Sequence, residues 1–263
     1  MYITDQEKAA FVKSVEGVEW KKELVHKKKE RLKKYLEYWR NDPQWLVSRL
    51  QMNWQTKHSK VFLKGGNFSH SEGTAPVPTV RYSGTRDWAT DYVRPKLEDV
   101  QPYLDDSRGL FLEHKKTGEM EWVHPSKSGF IIDKTNEQIM DIVADAAFMY
   151  WLTREEEYAA FAAPVFFTYM EGMYYRDAPI DLENSNQQNI SGLATFEVIH
   201  EGIVVSLVTT YDFLYNYFKS NNKNLETSVA VFQKWGDQII KKGIPDNNWN
   251  LFQARFLTYI GLV

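Results

Sequence analysis

Helical periodicity constrains the fold of this chain more than any other feature. Between Trp20 and Trp39 the apolar residues recur at spacings of three, four and eight positions, the pattern of one helix face. Comparable patterns predict further helices over 136–152, 154–175, 191–220, 225–242 and 248–263. Short loops separate most of these segments, so successive helices are expected to run antiparallel to one another.

The N-terminal helical region spans residues 5–53. Asn41, Asp42 and Pro43 predict the end of one helix and the start of another, because Asp42 can cap and Pro43 fits a first turn. The face opposite the apolar stripe is basic but interrupted by glutamates, which favours a solvated surface over a patch for an anionic ligand. Its cations are Lys27, Lys28, Lys29, Arg31, Lys33 and Lys34.

Residues 54–96 lack a helical period because glycine and proline interrupt them repeatedly. Their aromatic content argues against disorder, so we predict an ordered, irregular arm packed across the helices. Arg81 and Arg86 can bind a carboxylate or sulfate, with Trp88 beside them, although pairing with nearby aspartates fits equally well. A short helix over 97–105 and a small β-hairpin over 109–123 follow.

These elements predict a mainly α fold in one domain, residues 1–263. The domain divides into N-terminal helices (1–53), arm and hairpin (54–133) and helix hairpins (134–263), arranged as an incomplete (α/α) toroid of antiparallel helix hairpins. Pro164 is expected to kink or split its helix. The last helix ends in the apolar run Phe256–Val263, so we expect a chain truncated at its C-terminus or a tightly docked last helix.

Composition excludes several classes of function. The chain has no cysteine, hence no disulfide, thiolate nucleophile or cysteine metal site. Its 32 basic and 35 acidic residues give a net charge of −3, which argues against a general nucleic-acid binder. No apolar run is long enough to span a membrane. No two histidines have the i, i+4 spacing of a helical zinc site, and neither a phosphate loop nor a Gly-x-Ser-x-Gly motif is present. We therefore expect neither a metal nor a cofactor.

The most informative motif is Asp-Asn-Asn-Trp-Asn-Leu-Phe-Gln-Ala-Arg over 246–255. Locally, Asn247 or Asn248 suits the cap of the helix that follows. Aspartates offer a second chemistry, since two carboxyl groups flanking a glycosidic oxygen make a glycoside hydrolase. The candidates for such a pair are Asp177, Asp181, Asp212 and Asp246.

Several segments resemble a known family when they are taken together. Asn-Asn-Trp followed by a Phe-Gln helix resembles the start of an inner toroid helix in polysaccharide lyases. The run Thr-Thr-Tyr-Asp-Phe-Leu-Tyr over 209–215 is similar to a segment of heparinase II/III-like and alginate-lyase-like proteins. The segments 144–151 and 175–179 also suit that α/α domain. The resemblance covers about residues 135–263.

The resemblance implies β-elimination on a uronic-acid polysaccharide. Asn247 or Asn248 would then neutralise the uronate carboxylate, and a histidine or tyrosine would remove the C5 proton. His200 is the candidate histidine, although a buried structural histidine is the favoured interpretation of this residue. Many relatives carry histidine where this chain has Trp249, and the catalytic tyrosine of the family lies beyond Val263.

The other candidates are residues that could bind the substrate. Tyr174 and Tyr175 could stack on sugar rings, whereas core packing is the favoured interpretation of Tyr211. Arg255 could face an anionic sugar or serve in an ion pair. The complete set is Trp249, Arg255, Glu201, Tyr174, Tyr175, Arg81, Arg86 and Trp88.

The resemblance further implies an acidic polysaccharide as partner, β-sandwich domains after the helices, and a periplasmic or secreted location. Two alternatives use the same residues differently. One is a helical glycan-binding protein without enzymatic activity. The other is an α/α-toroid glycoside hydrolase that uses two of the aspartates.

Overall fold

The computed structural model describes residues 4–50, 59–63, 66–70, 91–100, 110–123, 125–175, 202–242, 246 and 249–263. The described part of the chain is mainly helical. Its α-helices are α1 (Asp5–Val15), α2 (Glu19–Asn41), α3 (Pro125–Thr153), α4 (Glu156–Tyr175), α5 (Ile203–Ser220), α6 (Glu226–Lys242) and α7 (Trp249–Gly261). Two antiparallel hairpins accompany them, β1 (Ser59–Leu63) with β2 (Gly66–His70) and β3 (Leu110–Glu113) with β4 (Met120–Val123).

The N-terminal helices depart from the prediction at two points. The predicted continuous helix is broken between Val15 and Glu19, around Gly17. The predicted end at Asn41 is confirmed, because Asp42 is extended. The second helix predicted from Asp42 does not form as an α-helix. A turn, in which Gln44 N donates to Asp42 Oδ1 at 2.9 Å, leads instead to a 3₁₀ helix.

Several lysines and arginines of α2 attach that helix to the rest of the protein. Lys28 and Arg31 both bind the carboxylate of Asp145 on α3, the latter at 2.7 Å. Arg40 binds Glu157 on α4 at 2.6 Å. The prediction of a solvated basic face is therefore wrong for Lys28 and Arg31, whereas Arg40 was not part of that prediction. The cations of α2 lie close enough to its apolar stripe for their side chains to reach acidic groups on neighbouring helices.

Replacing Asp145 tests this attachment. Asp145 is 6 % exposed, so Asp145→Asn leaves two cations beside an interior amide. We expect a loss of about 1–2 kcal/mol in the free energy of unfolding, since partly exposed cations regain some hydration. Urea denaturation measures it. Glu157→Gln, at the more exposed pair of the same helix, is the control and should lower stability less. Equal losses would contradict the role given to Asp145.

The predicted irregular arm contains regular structure. Strands β1 and β2 pair within it, with Val61 opposite Phe68. Only two residues separate the strands, and glycine in such a sequence is typical of a hairpin as well as of a helix break. The predicted helix over 97–105 is a 3₁₀ helix at Leu97–Asp99, and residues 101–105 lie outside the described residues.

The second hairpin is confirmed. Strands β3 and β4 join through a turn in which Gly118 has a φ of 70°, a conformation that favours glycine. Tyr92 forms a single antiparallel bridge with His114 at the end of β3, beside the bond from Val93 N to Glu113 O at 2.8 Å. The hairpin packs on α3 through Leu112, Val123 and Ile131.

Helices α3 and α4 form the first of the predicted helix pairs. Helix α3 begins eleven residues before the predicted start at Asn136. It ends at a tight connection where Arg154 has a φ of 64° and its N–H donates to Tyr150 O at 2.8 Å. Helix α4 runs through Pro164 without dividing, so the predicted split is wrong. Pro164 is exposed, where water can bind the carbonyl that loses its partner.

The last five helices form two layers. Helices α3, α5 and α7 make the first layer, because α5 packs on both of the others. Helices α4 and α6 pack together as the second layer, over α3 and α7 respectively. One continuous core fills the space between the layers and extends to α2. This two-layer order agrees with the predicted helix hairpins.

None of the described helices combines the length and apolar character needed to cross a bilayer.

Candidate functional site

The direction of the first-layer helices decides which of their ends lie together. Three contacts join α3 to α5 in rising order: Asp141 with Ser206, Phe148 with Phe213, and Tyr150 with Tyr217. The two helices therefore run parallel.

Helix α7 has the same direction as α5. Residues 208–213 of α5 and 258–263 of α7 line one cleft, so the two helices are neighbours. Helix α6 contacts α5 through Phe232 and Tyr211 and contacts α7 through Gly236 and Leu257. Short connections join α6 to each of them, so it runs antiparallel to both, which makes α5 and α7 parallel. The intervening α6 returns between them after the short connection 221–225. Helices α5 and α7 therefore begin at one end of the layers, and α4 and α6 end there. We call this end the start face.

Four predicted residues flank the start face in sequence. His200 and Glu201 come directly before Gly202, which caps α5, and Asn247 and Asn248 come directly before α7. All four lie outside the described residues, as do Arg81, Arg86 and Trp88.

Two carboxylates of α3 lie in the described part of the start face. Glu137 pairs with Lys134, and its Oε1 atom lies directly against Gly202 at the start of α5. One helical turn further, Asp141 accepts a hydrogen bond of 2.5 Å from Ser206 Oγ.

The surroundings of Asp141 favour its protonated form. Burial raises the pKa of its carboxyl above the ordinary value, the Ser206 hydrogen bond opposes this rise, and the charge of Glu137 adds to it. Asp141 can therefore hold a proton to higher pH than an exposed aspartate. Sequence analysis missed Glu137 and Asp141. The signal was their spacing with Asp145, since the three acidic residues recur at every fourth position of α3.

Asp141→Asn tests this environment. In the folded chain the Asp141 carboxyl stays protonated to pH values above 3.8, the ordinary pKa at which the unfolded chain loses this proton. The stability that Asp141 contributes is therefore present at acid pH and is lost as pH rises above 3.8 through the raised pKa. We expect the variant to be more stable than the parent at pH 7, by about 1 kcal/mol, since an amide avoids burying a charge.

Thermal melts at several pH values measure the difference between the two chains. The excess stability of the variant should shrink toward acid pH, where the parent carboxyl is protonated. A variant less stable than the parent at pH 7 would show that Ser206 and Arg31 outweigh the burial of the charge.

Two predicted tyrosines end α4 at the start face. Tyr174 is 40 % exposed, and Lys234 of α6 donates to its carbonyl oxygen at 3.2 Å and lies 5.9 Å from its ring centre. Tyr174 is therefore partly accessible, and its stacking on a sugar ring stays a prediction. Tyr175 is the last residue of α4, and its side chain lies outside the description.

The remaining predicted residues fall on α7 and in the core. Arg255 is exposed on α7 with its guanidinium 5.7 Å from the ring of Tyr259, one turn along. Trp249 is the first residue of α7, and its side chain lies outside the description. Tyr211 is buried against Phe232, with ring centres 5.6 Å apart, which confirms core packing.

No family model, curated protein or solved structure matches this chain. The assignment of function therefore depends on the residues and their placement alone. Among the described residues no three histidine, aspartate or glutamate side chains converge as a metal site would require.

The cleft between α5 and α7 places one of the predicted aspartates. It has a volume of about 390 Å³, and most of its lining is apolar, with Asp212 buried at 8 % exposure. Asp246 is exposed, precedes the first residue of α7 and does not line this cleft. The cleft therefore does not hold Asp212 and Asp246 together, as a glycosidase pair would require. Asp177 and Asp181 lie outside the described residues.

Proposed function

We propose that this chain is the helical domain of a polysaccharide lyase that cleaves an acidic, uronic-acid-containing polysaccharide by β-elimination. One observation carries the proposal. Helices α5 and α7 run parallel and begin at the same face, and the sequence places His200–Glu201 before one and Asn247–Asn248 before the other. The two layers of helix hairpins support an (α/α) toroid as the architecture.

The residue types suit each step of the reaction. A base removes the C5 proton of the uronate, its electrons form a C4–C5 double bond, and the C4–O bond breaks. The departing oxygen takes a proton. An asparagine amide beside the carboxylate stabilises the charge that develops on it without adding charge of its own. The positive end of a helix dipole favours an anion at the same place.

His200 and a tyrosine are the candidates for the proton transfers. Histidine can act as a base near neutral pH, and a tyrosine can protonate the leaving oxygen. In the proposed family the tyrosine lies later in the toroid than the equivalent of Val263. Family resemblance also supports a periplasmic or secreted location and β-sandwich domains after the helices.

An ultraviolet assay tests the proposal. The product of β-elimination carries a double bond conjugated to a carboxylate, which hydrolysis does not produce. We would incubate alginate, hyaluronan, chondroitin sulfate and heparan sulfate with the chain of 263 residues and with the longest natural form of the protein. Absorbance growth with both places the base within these residues, and growth with the longer form alone places it after Val263. Binding without absorbance growth in either form would overturn the lyase and favour a glycan-binding module.

A further inference from the structure

We propose that Phe111 and Trp122, on the outer face of the β3–β4 hairpin, form a stacking platform for a sugar ring of the polysaccharide. This inference rests on the proposed function for the identity of the polymer. It adds a binding subsite apart from the residues that precede α5 and α7. The same platform would serve a protein that only binds the glycan.

The two rings lie side by side at the surface. Phe111 and Trp122 are direct partners in the strand register. Their ring centres are 5.3 Å apart with an angle of 46° between the planes, and each residue is 45 % exposed. Met120, two residues along β4, is 51 % exposed on the same face. An aromatic pair held this way presents a broad apolar surface that fits the C–H face of a pyranose.

The hairpin already has a separate buried face. Leu112 and Val123 are each 2 % exposed and pack on Ile131 of α3. Side chains alternate along a strand, so Phe111 and Trp122 point away from this contact. Leu112 and Val123 make the contact with α3, and Phe111 and Trp122 are not members of that cluster.

Contacts with residues 91–93 support the hairpin that carries the platform. Residues 91–93 lie beside the end of β3 and make one antiparallel bridge there, with bonds from Val93 N to Glu113 O and from Lys115 N to Asp91 O at 2.8 and 2.7 Å. Tyr92 and His114 are bridge partners with their ring centres 5.4 Å apart. A site on a rigid element needs little ordering when it binds.

The size of the patch favours a sugar over a protein. Aromatic side chains offer 150–250 Å² each, so three half-exposed residues present about 300 Å². A stable protein interface buries about 800 Å² on each partner. One or two pyranose rings cover a patch of the smaller size. Glu113 shares the face with Phe111 and offers a polar edge for sugar hydroxyls.

The hairpin also lies at the appropriate end of the molecule. Asp141 contacts Ser206, three residues after α5 begins, so Ile131 lies about 10 Å beyond the start of α5 along the axis. The hairpin packs on that projecting part of α3. A polysaccharide bound at the start face could therefore extend onto the hairpin.

Alanine substitution tests the platform. We would measure binding of the 263-residue chain to the same four polysaccharides by isothermal titration, comparing Phe111→Ala, Trp122→Ala and the parent. We expect each variant to weaken binding by about tenfold, the size of one lost aromatic contact. Trp122→Phe should retain most of the affinity. Trp20→Ala is the matched control, since Trp20 is 61 % exposed on α2, and it should bind like the parent. Thermal melts verify folding.

The outcomes separate this inference from the lyase proposal. Unchanged binding by both folded alanine variants, or no binding by the parent, overturns the platform. A dimer of the parent that Trp122→Ala dissociates also overturns it, since the patch would then bind a second copy. Binding that depends on Trp122 in a protein that forms no unsaturated product keeps the platform and rejects the lyase. Lyase activity with an unchanged KM in Trp122→Ala keeps the lyase proposal and rejects the platform.

Discussion

Asn248→Ala is expected to lower the kcat of the active form by about 100- to 1000-fold, the usual cost of removing one donor that stabilises a developing anion. The amide proposed to bind the uronate carboxylate would be lost, so the C5 proton would remain too weakly acidic for removal. Substrate binding should change much less, because aromatic and basic contacts elsewhere remain. Initial rates of absorbance growth at saturating polysaccharide measure the effect.

A capping role must be separated from this chemical role. Asn248 directly precedes the first residue of α7, the position where asparagine and serine both cap a helix. Asn248→Ser therefore keeps a cap but removes the amide. We expect it to melt like the parent and to be as inactive as the alanine variant. Full turnover in Asn248→Ser would assign the asparagine to capping. Full turnover in both Asn247→Ala and Asn248→Ala would reject the proposed site.

Local patterns predicted most of the helices. Apolar periodicity located α4 and α6 within a few residues, because each buries one stripe against the other layer. Glycine and proline signals were less specific. Gly66 begins strand β2 inside the segment predicted to be irregular, and Pro164 is accommodated within α4. Both residues act through backbone geometry, which the surrounding packing decides.

Contacts between distant residues were beyond sequence reasoning. Asp145 lies more than one hundred positions from Lys28 and Arg31, so no local pattern links them. The parallel direction of α5 and α7 likewise follows from the two-layer packing. The motif before α7 was recognisable from its residue types, whereas the carboxylates beside Gly202 became apparent only when α3 and α5 were placed together.

Trp235→Ala should cause the largest loss of stability among the substitutions considered. Trp235 is fully buried on α6, which packs on α4 in the second layer and on α7 in the first. Removing a buried tryptophan costs about 3–5 kcal/mol, through lost transfer free energy and the cavity that remains. For a domain of this size that corresponds to a fall of about 10 °C in Tm. Calorimetry and urea denaturation measure both quantities.

Two controls make the Trp235 result specific to packing between the layers. Trp20→Ala removes the same side chain from a site that is 61 % exposed, and it should change stability by no more than about 0.5 kcal/mol. Trp235→Phe leaves a smaller cavity and should fall between the alanine variant and the parent. Because α6 connects α5 to α7, Trp235→Ala should also weaken the packing of the helices that form the start face. At temperatures close to the lowered Tm of this variant, its polysaccharide binding should therefore be weaker than that of the parent. Similar losses for Trp20→Ala and Trp235→Ala would contradict the burial of α6 between α4 and α7.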